Sequence, residues 1–232
     1  MIGRALHLAR RVREAHRNGF RLTPMTVFNT IRLSVRATGR PWYELPVVIS
    51  GPTLVRVSRL ATIEVDRNSR LVIGSGGTRQ IFDADRTRAA LVIAPKARVR
   101  VRGGQVRLSW GTKVRLSPSA RLELGGGSFL NAGCLVFVAT SVTLGERCNV
   151  AWGVTIMDTD FHVVDADRAR MAPVAIGDDV WLGADVLILQ GSSIGSGTVI
   201  GARSVVRGSI PERSLAVGQP AKVVRSNVDW QI

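Results

Sequence analysis

The chain has 232 residues, 45 % of them hydrophobic, and a formal net charge of +15. That length suits one moderately large domain with an appendage. Two cysteines imply no disulfide framework and point to a reducing, cytoplasmic setting. The charge is uneven: +9 over residues 1–60, +8 over 61–124 and −2 over 125–232, with arginine outnumbering lysine 29 to 3. Such a field favours an anionic partner, namely membrane headgroups or a phosphate-bearing acceptor. Nucleic acid is disfavoured, because the basic half has no interleaved aromatics and no recognisable module.

Residues 1–45 read as a basic helical segment. Arg4, His7, Arg10 and Arg11 break up any apolar run, which argues against a signal peptide. A first helix is predicted over 2–17, with Ile2, Ala5, Leu6, Ala9 and Val12 on one side. Asn18-Gly19 stops it. Thr23-Pro24 then caps a second helix that runs towards Ala37, with Phe28, Ile31 and Val35 on a shared face. The pair suits either a peripheral contact with the inner face of a membrane or a cap on the open end of a stack of strands. No apolar run is long enough to span a bilayer.

Over residues 46–123, alternating aliphatics and arginines predict strands with one wet face, either imperfect coils or a β extension. The Gly-rich stretch 74–80 has no Gly-Lys-Ser/Thr ending and reads as a bulged corner. Over 124–217 the pattern turns regular. Branched aliphatics recur at Leu124, Leu130, Val136, Leu144, Val150, Ile156, Ile176, Leu182, Ile188, Ile194, Ile200 and Val206. Glycine often comes next (Gly125, Gly145, Gly177, Gly183, Gly195, Gly201), where it would relieve a strained turn. Four positions on, the residue is small or β-branched, as at Ser128, Cys134, Cys148 and Val180. A period of six fits neither a helix nor one long strand. It fits a short strand and a turn, three of which close a triangular coil that is stable only when stacked. Cys134 and Cys148 then pack inside as reduced thiols.

After Ile156 the next slot falls on His162, and the beat resumes only at Ile176, so residues 158–173 read as a loop extruded from a coil corner. His162 is the single histidine beyond residue 16. Histidine suits a general base, since its ordinary pKa of about 6.5 leaves much of it neutral at working pH. Asp158 and Asp160 flank it: Asp160 is the candidate for fixing the imidazole, and Asp158 suits a turn. Residues 218–232 form a tail.

The run from 176 to 225, ending with the Pro-Ala-Lys of 220–222 and the basic residue at 225, resembles the hexapeptide-repeat acyltransferases, in particular their sugar O-acetyltransferase branch. The resemblance covers roughly residues 108–225. It implies a mainly β fold, a left-handed parallel β-helix with an N-terminal helical segment. It also implies acyl transfer from acetyl-CoA or another acyl-CoA, without a metal, to a sugar or glycan hydroxyl in cell-surface or exopolysaccharide assembly. The Asp-Thr-Asp-Phe-His pattern places the base on His162. Asn131 and Asp158 become candidate acceptor contacts, although Val138 and Ala139 stand where some relatives carry an acidic pair. Trp181 would lie beside the histidine and the pantetheine arm. Gly183, Ala184, Gly201 and Ala202 would line that arm, and Lys222 and Arg225 would meet the coenzyme A phosphates. A homotrimer with sites between copies is also implied. A zinc hydratase on the same coil would need three histidines. N-acylation of an amino sugar and a non-catalytic binding scaffold are the alternatives.

Overall fold

The computed structural model describes residue 10 and residues 23–75, 88–162 and 170–231. Apart from residue 10, the first predicted helix lies outside them, as do residues 76–80 of the Gly-rich stretch. Within the described residues the chain winds through three sheets in turn. The first face has eight strands, from Ala37–Thr38 to Ser209–Ile210. The second has nine, from Val47–Ile49 to Ala221–Ser226, and the third has seven, from Thr53–Val57 to Val205–Val206. Each strand pairs in parallel with its counterpart one coil away, except at the end, where Ser214–Gly218 is paired antiparallel by Ala221–Ser226. This is a three-sided parallel β-helix.

The coil shortens along the chain. On the second face Leu108 pairs with Leu130, twenty-two positions later, and Leu130 with Val150, twenty positions later. Leu182 pairs with Ile200 after eighteen, the length of three hexapeptides. Strand length sets the change: Gln105–Ser109 has five residues, whereas Trp181–Leu182 has two. The helix therefore begins well before the six-residue beat becomes audible. Its early coils are wider and carry longer alternating strands.

Every leading aliphatic from Leu124 to Val206 is buried. Of the small slots, Thr140 alone is half-buried rather than fully enclosed. The thiols of Cys134 and Cys148 donate to the carbonyls of Ala151 and Gly177, each at 3.1 Å. Burial pushes the Cys134 thiol up to about 12 and that of Cys148 up to about 11. The glycines after the leading slots do not relieve strained turns. A Cβ on Gly145 would meet the carbonyl carbon and oxygen of Gly177 at 2.4 Å, and one on Gly125 would meet Gly145 at the same distance. They are glycine because successive coils touch there. The left-handed backbone falls two residues later, at Gly127, Arg147, Asp179, Asp185, Gly197 and Arg203.

Helix α1, Pro24–Arg36, starts at a capping box: the Thr26 amide donates to Thr23 Oγ1 and the Thr23 amide to Thr26 Oγ1. It lies along the open edge of Val47–Ile49 with its polar side inward. The Ile49 amide donates to Thr30 Oγ1 at 2.9 Å, and Ser34 Oγ donates to the Val47 carbonyl at 2.9 Å. Of the shared apolar face, Phe28 and Val35 are exposed, while Leu33 is buried on the inner side. A bare sheet edge presents amides and carbonyls, so hydroxyls cover it better than aliphatics. Among the described residues, no helix is long and apolar enough to cross a membrane.

Candidate active site

The irregular loop leaves the coil at the corner between the third and first faces. Ile156 pairs with Ile188 thirty-two positions later, one eighteen-residue coil plus fourteen extra. A short stem pins the base of the excursion. Thr159 bridges Met171, the Asp160 amide donates to the Arg170 carbonyl, and the Ala172 amide donates to the Asp158 carbonyl. Ile176 fills the inward slot opposite Leu144, so His162 displaces nothing from the core. It stands outside the coil, exposed, before residues 163–169, which lie outside the described residues.

Three neighbours place that histidine. Asp158 is fully buried, and its carboxylate accepts from the amides of Ala139, Thr140 and Ser141 at 2.6–2.7 Å and from Thr140 Oγ1 at 2.8 Å. A carboxylate offers about four acceptor sites, so this one is saturated by the preceding corner. A substrate contact at Asp158 does not fit that placement: it is an anchor. Asp160 is exposed, and its carboxylate accepts from Gln190 Nε2. No side-chain hydrogen bond joins it to His162 among the described residues. The link is through backbone, with the His162 amide donating to the Asp160 carbonyl at 2.7 Å. Phe161 stands at the centre of that three-residue turn with φ 62°, a region bulky side chains avoid. Its amide donates to Thr159 Oγ1 at 3.0 Å, and its ring lies 4.6 Å from that of Phe137, tilted by 60°. Sequence reasoning missed Phe137 and Gln190. Neither carries a motif, and both matter only once coils are stacked.

The remaining predicted residues gather elsewhere. Asn131 is buried at the corner between the second and third faces, three coils before Gly201 in the same column. Gly183 and Gly201 spend their amides on the ladder, donating to Ile200 and Ala216 at 2.8 and 2.9 Å. Added Cβ atoms would meet the Ala202 amide nitrogen at 2.6 Å and Val217 Cγ1 at 2.6 Å. Their smallness thus serves coil stacking. Ala184 and Ala202, beside them, face outward. Lys222 is exposed opposite Val217, and Arg225 is exposed opposite Leu215. Trp181 lies on the second face, 42 % exposed, with its ring 5.8 Å from Trp230 of the tail. Trp230 Nε1 in turn donates to the Asp179 carbonyl. Within one chain, then, the structure does not bring Trp181 beside His162. The two groups flank opposite edges of the third face.

A cleft of about 670 Å³ lies beside the tail, lined by Arg147, Asp179, Glu212, Arg213 and Trp230 among others. It shares no residue with the His162 corner. Asp179 accepts from Arg147 Nε and Nη2 at 2.7 and 2.8 Å, and this guanidinium holds the carboxyl below its ordinary value.

Residues 173–208 match the family described as bacterial transferase hexapeptide (six repeats). The match falls on the coils that follow the loop, within a three-sided parallel β-helix preceded by a helix. The chain is 35 % identical over 112 residues to a Mycobacterium tuberculosis protein provisionally named an acetyltransferase, covering 48 % of this chain and 37 % of that one. It is 56 % identical over 98 residues to an Escherichia coli (strain K12) protein provisionally named a lipopolysaccharide biosynthesis O-acetyl transferase, covering 37 % of this chain and 50 % of that one. The chain spans about half or less of the length of these relatives. Among solved structures, the polySia-specific acetyltransferase NeuO aligns with a TM-score of 0.49 at 24 % identity, over 80 % of this chain and 88 % of that one.

Proposed function

We propose that this protein is an acyl-CoA-dependent O-acyltransferase that acetylates a sugar hydroxyl during assembly of a cell-surface or exported glycan, with His162 as general base. The observation that carries this is the placement of His162. It stands on a fourteen-residue excursion from an otherwise regular hexapeptide coil, exposed, and held by a backbone turn that the coil itself anchors. The acetyltransferase names of the relatives support the same chemistry.

Acyl-CoA supplies an activated thioester. Outward Ala184 and Ala202, together with Lys222 and Arg225, suit a pantetheine arm that ends in phosphates, which cations bind. At the reacting centre, a bond forms between the acceptor oxygen and the acyl carbon, and the carbon–sulfur bond breaks. The hydroxyl proton passes to the free ring nitrogen of His162 and from there to the leaving thiolate. Asp158 and Asp160 act as positioning residues through the turn. Because donor contacts and base flank opposite edges of the third face, a second copy that supplies the donor side of each site fits better than a single chain. The homotrimer implied by the resemblance provides such a copy.

The test is release of free thiol from acetyl-, succinyl- and longer acyl-CoA with a panel of neutral, amino and acidic sugars, followed by mass analysis of the acceptor. An acceptor-dependent signal should fall about a hundred- to ten-thousand-fold in His162→Ala. Silence with every donor from a folded protein overturns the proposal, and an acylated nitrogen redirects it to amino sugars.

A further inference from the structure

The first face mixes paired and unpaired cations on its outer surface, Arg98 and Arg121 being exposed with no ion-pair partner among the described residues. On the first face Arg100 pairs with Asp66, and Arg102 with Glu123 and Glu146. The strands of the third face contain no acidic residue, from Thr53–Val57 through Lys113–Leu116 to Val205–Val206. Lys113 and Arg115, two apart on one strand and so on one side of it, are exposed and have no ion-pair partner among the described residues. Arg115 also meets a ring: its guanidinium carbon lies 5.9 Å from the centroid of Phe137. A cation–ring contact of that kind leaves the N–H groups available to an oxyanion. Phe137 is in turn the ring against Phe161, the residue before His162. A cation and two aromatic rings are therefore in contact in turn, and the base is the next residue along the chain.

We infer that Lys113 and Arg115 form an acceptor subsite for an acidic glycan, one bearing carboxylate or phosphate groups. A sugar ring would lie against Phe137 and Phe161, so that a hydroxyl reaches His162. This rests on the O-acyltransferase reading for the identity of the reaction, but the binding it predicts is independent of any donor. A glycan chain suits the surface better than a membrane, because the face is a ribbon only two to five residues wide.

The experiment compares full-length wild type with Lys113→Gln/Arg115→Gln and with Arg98→Gln/Arg100→Gln, which removes equal charge from the first face. Binding is measured by calorimetry without donor, at low and moderate salt, to oligogalacturonate, to a phosphorylated mannan oligomer and to neutral dextran of matched length. Each result is repeated on His162→Ala. We expect the acidic oligomers to bind in a salt-sensitive manner and dextran to bind at least about tenfold more weakly. The Lys113/Arg115 variant should lose on the order of tenfold or more, whereas the Arg98/Arg100 variant keeps its affinity. Which acidic oligomer binds separates carboxylate from phosphate. Equal loss in both variants, dextran binding as well as the acids, or binding only to phosphatidylglycerol vesicles would each overturn the subsite. Binding of acidic oligomers with no acyl transfer from any donor would leave the subsite standing and remove the enzymatic reading.

Discussion

Asp158 and Asp160 look alike in the sequence, and the structure gives them opposite duties. The buried Asp158 carboxylate holds three successive amides and a hydroxyl, so Asp158→Asn places an amide group against donors it cannot accept from. We expect a stability loss of about 1–3 kcal/mol or more, read as a lower denaturation midpoint, while Asp160→Asn leaves the midpoint nearly unchanged. Phe161 carries the cost of a left-handed φ, and such strain persists only where surroundings over-determine it. Phe137→Ala removes the ring it rests on and should lower kcat with little change in unfolding, whereas Phe137→Leu recovers part of the rate. Asp179 illustrates a different case. Arg147 lowers its pKa, so the pair adds stability above the ordinary carboxylate value of 3.8, and that contribution disappears as pH falls through the lowered value. Both partners are about half exposed, which limits the effect to about 1 kcal/mol or less. Asp179→Asn should therefore melt slightly lower than wild type at pH 7 in low salt, with the gap closing in acid and in high salt. A gap that ignores both would contradict the ion-pair origin.

At the scale of the coil, the sequence was legible where strands are short and dim where they are long. From Leu124 onward the leading aliphatics could be placed one by one, because six residues recur three times per turn. Before that the turn holds twenty-two residues, and the same inward positions, such as Leu108 and Val114, hide in longer alternating strands. Local pattern cannot reveal what glycine is for. Gly145 reads as a turn residue, yet its lack of a side chain matters to the neighbouring coil. Gly145→Ala forces a backbone shift and should destabilise the protein more than Gly127→Asn, since Asn tolerates the left-handed region that Gly127 occupies. Thermal denaturation of the two variants decides this, and equal effects would contradict it. The polar inner side of α1 was equally invisible, because periodicity ranks apolar faces and cannot see a sheet edge in need of hydrogen bonds.

For the whole molecule, the sequence placed His162 on a loop outside the repeat but gave no distance between the groups that the proposed chemistry must unite. Trp181 and Lys222 sit on the second face and His162 at the far edge of the third. A reacting donor and base must approach to about 3–3.5 Å. The shared-site arrangement therefore predicts an active species of three 25.0 kDa chains in sedimentation, and an active monomer would contradict it. The uneven charge belongs to this scale as well, since part of it lies on the strands that precede the loop, with Arg56, Lys113 and Arg115 on the third face.

The most direct measurement is acceptor-dependent thiol release from acetyl-CoA, followed over pH for wild type and His162→Gln with both proteins shown to be folded. Wild type should release thiol only with acceptor present, and the variant should be slower by about a hundredfold or more across the range. An equally active His162→Gln protein would show that the proton is taken elsewhere and would remove the base from the centre of the mechanism.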